Sequence, residues 1–162
     1  MERFTHLDES GHVHMVDVSD KEPSRRTARA SGFVEMSAEV LGMIRDGKIT
    51  KGNPLEVARL AGIMAAKKTA DLIPLCHPLS LNFVEVQCQP CEQGIKIEAT
   101  VVVEGRTGVE MEALTAVSIA ALTLYDMCKS ADRGMTISQI HLVEKTGGRS
   151  GHFRKLPKEP KH

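Results

Sequence analysis

Apolar and polar residues alternate with period two at residues 84–88 (Val84-Glu85-Val86-Gln87-Cys88) and again at 95–98, with Pro90 and Gly94 between them. That period belongs to a half-buried strand, so the two runs predict a hairpin. Residues 29–36, containing Gly32-Phe33-Val34, predict an earlier strand, and 135–143 a last one with imperfect alternation. Elsewhere the period lengthens to that of a helix. Leu114, Val117, Ala121, Leu124 and Cys128 draw an apolar stripe along a long helix over 109–129. Ser37 caps a short helix with Glu39 in its first turn and Val40, Leu41 and Ile44 on one side, ended by Asp46-Gly47. Asn53 caps a second helix, with Pro54 at its first position, Glu56 three residues after the cap, and Val57, Leu60, Ala61 and Met64 at helical spacing. Lys67-Lys68 close it, where the macrodipole favours cations. Residues 1–28 predict an irregular polar arm, apart from a short strand at 13–18. Past Lys145, glycines and basic residues lead into a tail at 154–162 that is expected to be disordered. The order strand, helices, two strands, helix, strand predicts an α+β chain of the split β-α-β-β-α-β kind, with an antiparallel sheet and an extra helix.

Composition narrows the class. The 162 residues fit one domain, placed at 1–153, of a size that buries roughly 68–70% of its unfolded surface. Lys plus Arg equals Asp plus Glu at 21 each, so the basic excess of a phosphate-backbone binder is missing. Aromatic residues are 3%, too few for a base-stacking platform, and no nucleic-acid partner is expected. The first residues hold no apolar signal stretch, and no run approaches the roughly 18 apolar residues of a membrane span. Cys76, Cys88, Cys91 and Cys128 are too sparse for a disulfide framework, so reduced thiols and a cytoplasmic location are expected.

Several segments are too polar or too rigidly punctuated to read only as connectors. Lys51-Gly52 lies just before a helix N-terminus, where a mobile ammonium beside free backbone N–H groups suits a phosphate. A solvated loop lysine is its plainer reading. In Pro74-Leu75-Cys76-His77-Pro78 two prolines stiffen the backbone and aim an imidazole, although a buried structural histidine has the same signature. Thr107-Gly108-Val109-Glu110-Met111-Glu112 opens the long helix, where carboxylates are favoured by the dipole in any case. Near the other end Asp126 and Lys129, three apart, share a face, which by default is a weak surface pair. Residues 145–151 have the composition of a phosphate-cradling loop without Walker spacing.

Helix geometry links two of these segments. Glu112 and Asp126 are separated by about 1400° of rotation, hence within roughly 40° of one face, but by about 21 Å along the axis. No pair of side chains closes that gap. A two-fold pairing of antiparallel copies would bring Asp126 of one chain near Glu112 of the other, which points to an oligomer with shared sites.

At these same segments the sequence resembles the MoaC family, the cyclic pyranopterin monophosphate synthases of molybdenum cofactor biosynthesis. The matching stretches are His14-Met15-Val16-Asp17-Val18, Ala61-Gly62-Ile63, residues 71–79 around Cys76-His77, residues 107–115, and Leu124-Tyr125-Asp126-Met127-Cys128-Lys129. The resemblance implies a ferredoxin-like fold and a homohexamer, a trimer of dimers, with active sites at subunit interfaces. It implies a lyase that turns 3′,8-cyclised dihydro-GTP, handed over by the preceding radical enzyme, into cyclic pyranopterin monophosphate with release of pyrophosphate. By motif position the catalytic residues fall on Lys51, Lys129 and Asp126, and the substrate contacts on Leu75, Cys76, His77, Met111 and Glu112. Asp17, Arg26, Lys67 and Glu110 match positions near the site. The chemistry is proton transfer and phosphoryl displacement with no electron lost, so no cofactor is required; assistance of Mg²⁺ to the triphosphate is left open. Lys51 and Lys129 from facing subunits are the expected acid–base pair, with Asp126 orienting Lys129. Arg26, Lys67 and Arg149 are the phosphate candidates.

Two other classes compete. Cys88 and Cys91 have CxxC spacing, and Cys76-His77 would complete a zinc set, but a second paired motif is missing and no metal is expected. A non-catalytic ligand-binding domain is the other, because a fold of this kind does not by itself specify an activity.

Overall fold

The computed structural model describes residues 6–156. In chain order the elements are β1 (Ser24–Glu35), α1 (Ala38–Arg45), α2 (Pro54–Lys67), α3 (Thr69–Leu72), β2 (Phe83–Cys91), β3 (Gly94–Gly105), α4 (Glu110–Cys128), β4 (Thr136–Thr146) and β5 (Phe153–Arg154). The sheet order is β2-β3-β1-β4-β5, and every neighbouring pair is antiparallel. This is the α+β, ferredoxin-like arrangement expected from the pattern, extended by α1, α3 and β5.

Three boundaries differ from expectation. β1 starts at Ser24 rather than 29, because pairing with β3 runs unbroken from Ser24 opposite Gly105 to Glu35 opposite Gly94. Residues 13–18 form no strand: the arm makes one isolated bridge, Leu7 to Val13, and otherwise no ladder partner lies beside it. At the other end Phe153–Arg154 pair with β4, so the tail expected to be disordered from 154 begins inside the sheet, while 157–162 lie outside the described residues.

The helix starts follow their caps. Ser37 Oγ accepts from the Val40 N–H at 3.3 Å, and Asn53 Oδ1 accepts from Leu55 and Glu56 at 3.1 and 3.3 Å. Glu56 does not return the bond to its cap; its carboxylate takes the Arg59 guanidinium at 2.7 Å. The core lies between one face of the sheet (Ala28, Ala30, Val34, Ile95, Ile97, Val101) and the buried side of α4 (Ala113, Ala116, Val117, Ala120, Ala121, Leu124). By length and composition α4 is apolar enough to cross a membrane, and its packing on the sheet and on α2 accounts for that apolarity.

Helix α2 inverts its expected face. Its buried residues are small (Ala58, Gly62, Ala65, Ala66), while Val57, Leu60 and Met64 are 42%, 57% and 50% exposed. Helical spacing alone does not say which side of a helix meets the core, and here close approach selects the small side. A Cβ on Gly62 would lie 2.9 Å from the Ala116 carbonyl oxygen and 3.1 Å from a Val86 methyl. On the sheet, a Cβ on Gly32 would meet a Val117 methyl at 2.6 Å. The two helices run antiparallel: Lys51, just before α2, meets Asp126 near the end of α4, and Lys67, at the end of α2, flanks a depression with Glu112 near its start.

Gly62→Val is therefore expected to cost about 1–3 kcal/mol and to lower the thermal midpoint by several degrees. An unchanged midpoint in a calorimetric scan would mean that the two helices are free to part at this crossing.

Candidate functional site

The start of α4 forms the floor of a cleft of about 320 Å³. The Pro74–Pro78 turn supplies one wall through Leu75, Cys76 and His77, and α4 supplies Glu110, Met111 and Glu112. The N-terminal arm crosses this cleft as extended chain, with Val16 and Val18 inward and Asp17 turned to solvent. Glu112 is 4% exposed. Burial, with a smaller contribution from the charge of Glu110, pushes its carboxyl up to about 7, against a hydrogen bond from its own backbone N–H that pulls the other way. A carboxyl so placed is divided between donor and acceptor forms at neutral pH. Burial also raises the Cys76 thiol, and Glu112 adds to the effect, so Cys76 faces the cleft as a neutral S–H.

Cations surround this end of α4. Lys21 lines the cleft, and Lys67 lines the adjoining depression that shares His77 and Glu112 with it. On the other side Lys145 pairs with Glu110 at 3.2 Å. Arg26 lies in the same recess and donates from Nε to Gly105 O at 3.1 Å and from Nη2 to Arg106 O at 3.2 Å. Gly148, at φ +75°, packs against that guanidinium, and a Cβ there would collide with Nη1. Arg26 thus ties the loop between β3 and α4 to the 147–148 turn. Arg149 is exposed on that turn. Asp17 does not line the cleft; its carboxylate accepts from Ser19 N–H and Oγ–H at 2.8 and 2.6 Å, and these bonds hold it below its usual range.

The other end of α4 carries the remaining predicted residues. Lys129 Nζ lies 2.8 Å from Asp126 Oδ1, and Lys51 Nζ donates to Asp126 Oδ2 at 3.2 Å and to its backbone carbonyl at 2.9 Å. Hydrogen bonds from Lys129 first and Lys51 second hold the Asp126 carboxyl below the ordinary value. All three side chains are about half exposed. The expectation that the two lysines face each other from different subunits is corrected here: one chain brings both to one carboxylate, because the 46–53 loop folds back over the end of α4.

A single chain thus assembles two half-sites, one at each end of α4, and does not join them. Lys21 and His6 in the cleft went unnoticed in the sequence, since the polar arm has no period and only long-range folding brings it here. Lys145 carried a signal, the glycine-rich basic composition of residues 145–151. The zinc set imagined for Cys76, His77, Cys88 and Cys91 does not assemble. Cys88 packs from β2 toward Glu56 and Arg59 of α2, with its thiol pushed up to about 11 by burial, while Cys91 Sγ points to the Gly94 carbonyl. Among the described residues no three His, Cys, Asp or Glu side chains form a group able to hold a metal ion.

Glu112 leaves a pH signature on stability. A carboxyl with a folded pKa of about 7 against an ordinary 4.5 holds its proton more tightly when folded, so stability declines as pH rises from 4.5 to 7 and then levels. The decline is on the order of 3 kcal/mol. Glu112→Gln removes it: the variant's melting point should exceed the parent's by about 6–12 °C at pH 8 and match it near pH 4.5. An equal difference at both pH values would contradict the assignment.

The chain is similar over nearly its whole length to proteins named cyclic pyranopterin monophosphate synthase. It matches the model of the MoaC family across residues 15–148. It is 59% identical over 155 residues to the cyclic pyranopterin monophosphate synthase of Desulforapulum autotrophicum, covering 94% of this chain and 95% of that one. It is 60% identical over 159 residues to the synthase of a Methylobacterium species (97% and 99% covered), and 60% identical over 153 residues to cyclic pyranopterin monophosphate synthase 1 of Mycobacterium bovis (94% and 90% covered). With a family model spanning most of its length and relatives at this level of identity, the chain belongs to the MoaC family.

Proposed function

We propose that the chain is a lyase of molybdenum cofactor biosynthesis that converts 3′,8-cyclo-7,8-dihydro-GTP to cyclic pyranopterin monophosphate and pyrophosphate. The names of its relatives support the reaction. In the structure one observation carries it: an ionised carboxylate, Asp126, held between two ammonium groups, each a proton donor. Opening the imidazoline ring of the substrate and rebuilding it as a pterin are successive proton transfers. Closing the cyclic phosphate forms a bond from a sugar-derived hydroxyl oxygen to the α-phosphorus and breaks the bond to the β-phosphate. The hydroxyl proton goes to a base, and pyrophosphate leaves. No electron is gained or lost, so the protein needs no redox cofactor; a Mg²⁺ ion on the triphosphate would arrive with the substrate.

Lys51 and Lys129 serve as the acid–base pair, oriented together by Asp126. The cleft holds the ring system, with Leu75, Cys76 and Met111 as walls and Glu112 as a carboxyl able to donate or accept at the edge of the guanine-derived base. Lys21, Lys67, Arg26 and Lys145 surround the start of α4, where the helix dipole adds to their pull on phosphates. Both half-sites serve one substrate when a second, antiparallel copy lays the end of its α4 along the start of the first. Three such pairs give the homohexamer. The exposed stripe Val57, Leu60 and Met64 on α2 is the apolar surface that such an assembly covers. The enzyme works in the cytoplasm and takes its substrate by transient hand-over from the radical enzyme that makes it.

Lys51→Ala and Lys129→Ala should each reduce pyrophosphate release from the cyclised substrate by about 10²-fold or more, with no change in oligomer size by light scattering. Normal turnover in both variants overturns the assignment.

A further inference from the structure

The hydrogen bonds that shape the arm over residues 6–23 are largely internal. Asp8 N–H donates to His12 O, His14 N–H to His6 O, and Lys21 N–H to Val18 O, while the Asp17 carboxylate closes a turn on Ser19. Residues 8–15 are exposed, so little buried surface anchors them. A short bond joins the arm to the body among the described residues: His77 Nε2 to Val16 O at 2.7 Å. The carbonyl is an acceptor only, so Nε2 carries the hydrogen and donates it. His77 stands between Pro74 and Pro78, on backbone that loses little freedom when the ring is fixed. Just beyond the latched residue, Val18 and Lys21 enter the cleft.

We infer that His77 is a positioning residue. By donating to the Val16 carbonyl it fastens the arm across the cleft and so delivers the Lys21 ammonium to the anionic part of the substrate. The inference rests on reading the cleft as the substrate site, but the latch itself exists without substrate. Lys21 is half-buried at the end of an arm whose residues 8–15 are exposed, and without the latch this segment would have to be ordered at the moment of binding. A fixed arm meets that entropic cost during folding, and the gain appears as a lower KM. The imidazole then takes no proton in the reaction.

Two measurements on the whole protein test this. Without ligand, amide exchange at His14, Ser19 and Lys21 should accelerate about five- to tenfold in His77→Ala, the effect of losing one hydrogen bond. It should stay near the parent's in His77→Gln, whose amide N–H₂ can reach the same carbonyl. With the cyclised substrate, His77→Ala and Lys21→Ala should each raise KM about tenfold while kcat stays within a few-fold, and the double variant should be no worse than either one. Should His77→Ala fail to fold, Asp17→Ala opens the Ser19 turn from the arm's side and should raise exchange and KM in the same way with the ring intact. Unchanged exchange in a folded His77→Ala overturns the latch. Effects on KM that multiply in the double variant overturn the route through Lys21 and make His77 a direct substrate contact. A parent protein inert toward the cyclised substrate would defeat the functional reading, and the exchange result would still decide the latch.

Discussion

The approach of α2 to α4 at Gly62 sets the geometry on which the rest depends. With no side chain at that position the helices meet backbone to backbone, Gly62 against the Ala116 carbonyl, with the Val86 methyls of β2 alongside, and α4 settles onto the sheet where Gly32 leaves room for Val117. Close antiparallel contact then decides what lies at each end of the pair. The loop ahead of α2 reaches the end of α4 and sets Lys51 on Asp126; the end of α2 brings Lys67 to the start of α4 beside Glu112. A wider spacing would separate Lys51 from Asp126 and open the depression between Lys67 and Glu112.

The two ends differ in electrostatics. Asp126 is solvated and flanked by cations, so it stays ionised and can hold two ammonium groups without giving up its charge. Glu112 is buried beside another carboxylate at a helix start, and its proton lies near balance at neutral pH. The same side-chain chemistry thus yields a fixed anion at one end and an exchangeable proton at the other. That contrast suits a reaction of successive proton transfers on a substrate whose other half is strongly anionic. About 21 Å of helix lies between the two ends.

Much of the architecture was legible in the sequence because its signals are local. The alternation at 84–88 and 95–98, the Ser37 and Asn53 caps, and the Leu114-to-Cys128 stripe each fall where the structure has the corresponding element. The pairing of Asp126 with Lys129, three apart on one helix, was legible for the same reason. What failed depends on partners distant in the chain. The outward face of α2 could not be read from spacing, since Val57, Leu60 and Met64 make as good a stripe as Ala58, Gly62 and Ala65, and the fit against Ala116 and Val86 decides between them. Lys51 beside Asp126, Lys21 in the cleft and the β5 pairing are long-range in the same sense. Lys51 drew notice by its place before a helix N-terminus, but as a phosphate contact; its catalytic role came only through family resemblance, and Lys21 was reached by neither route.

The central claim is that a working site takes the ammonium–carboxylate cluster from one chain and the cleft from another. Co-expressing Lys129→Ala and Glu112→Ala chains with separable tags, isolating the mixed assemblies and measuring pyrophosphate release tests it most directly. If sites are shared across a two-fold axis, half of randomly formed pairs are mixed, and each mixed pair holds one intact site of two. About a quarter of the parent's activity should then return from two variants that are each inactive alone. Activity no greater than the sum of the separate variants would mean that each chain works with its own two ends, and would contradict the account.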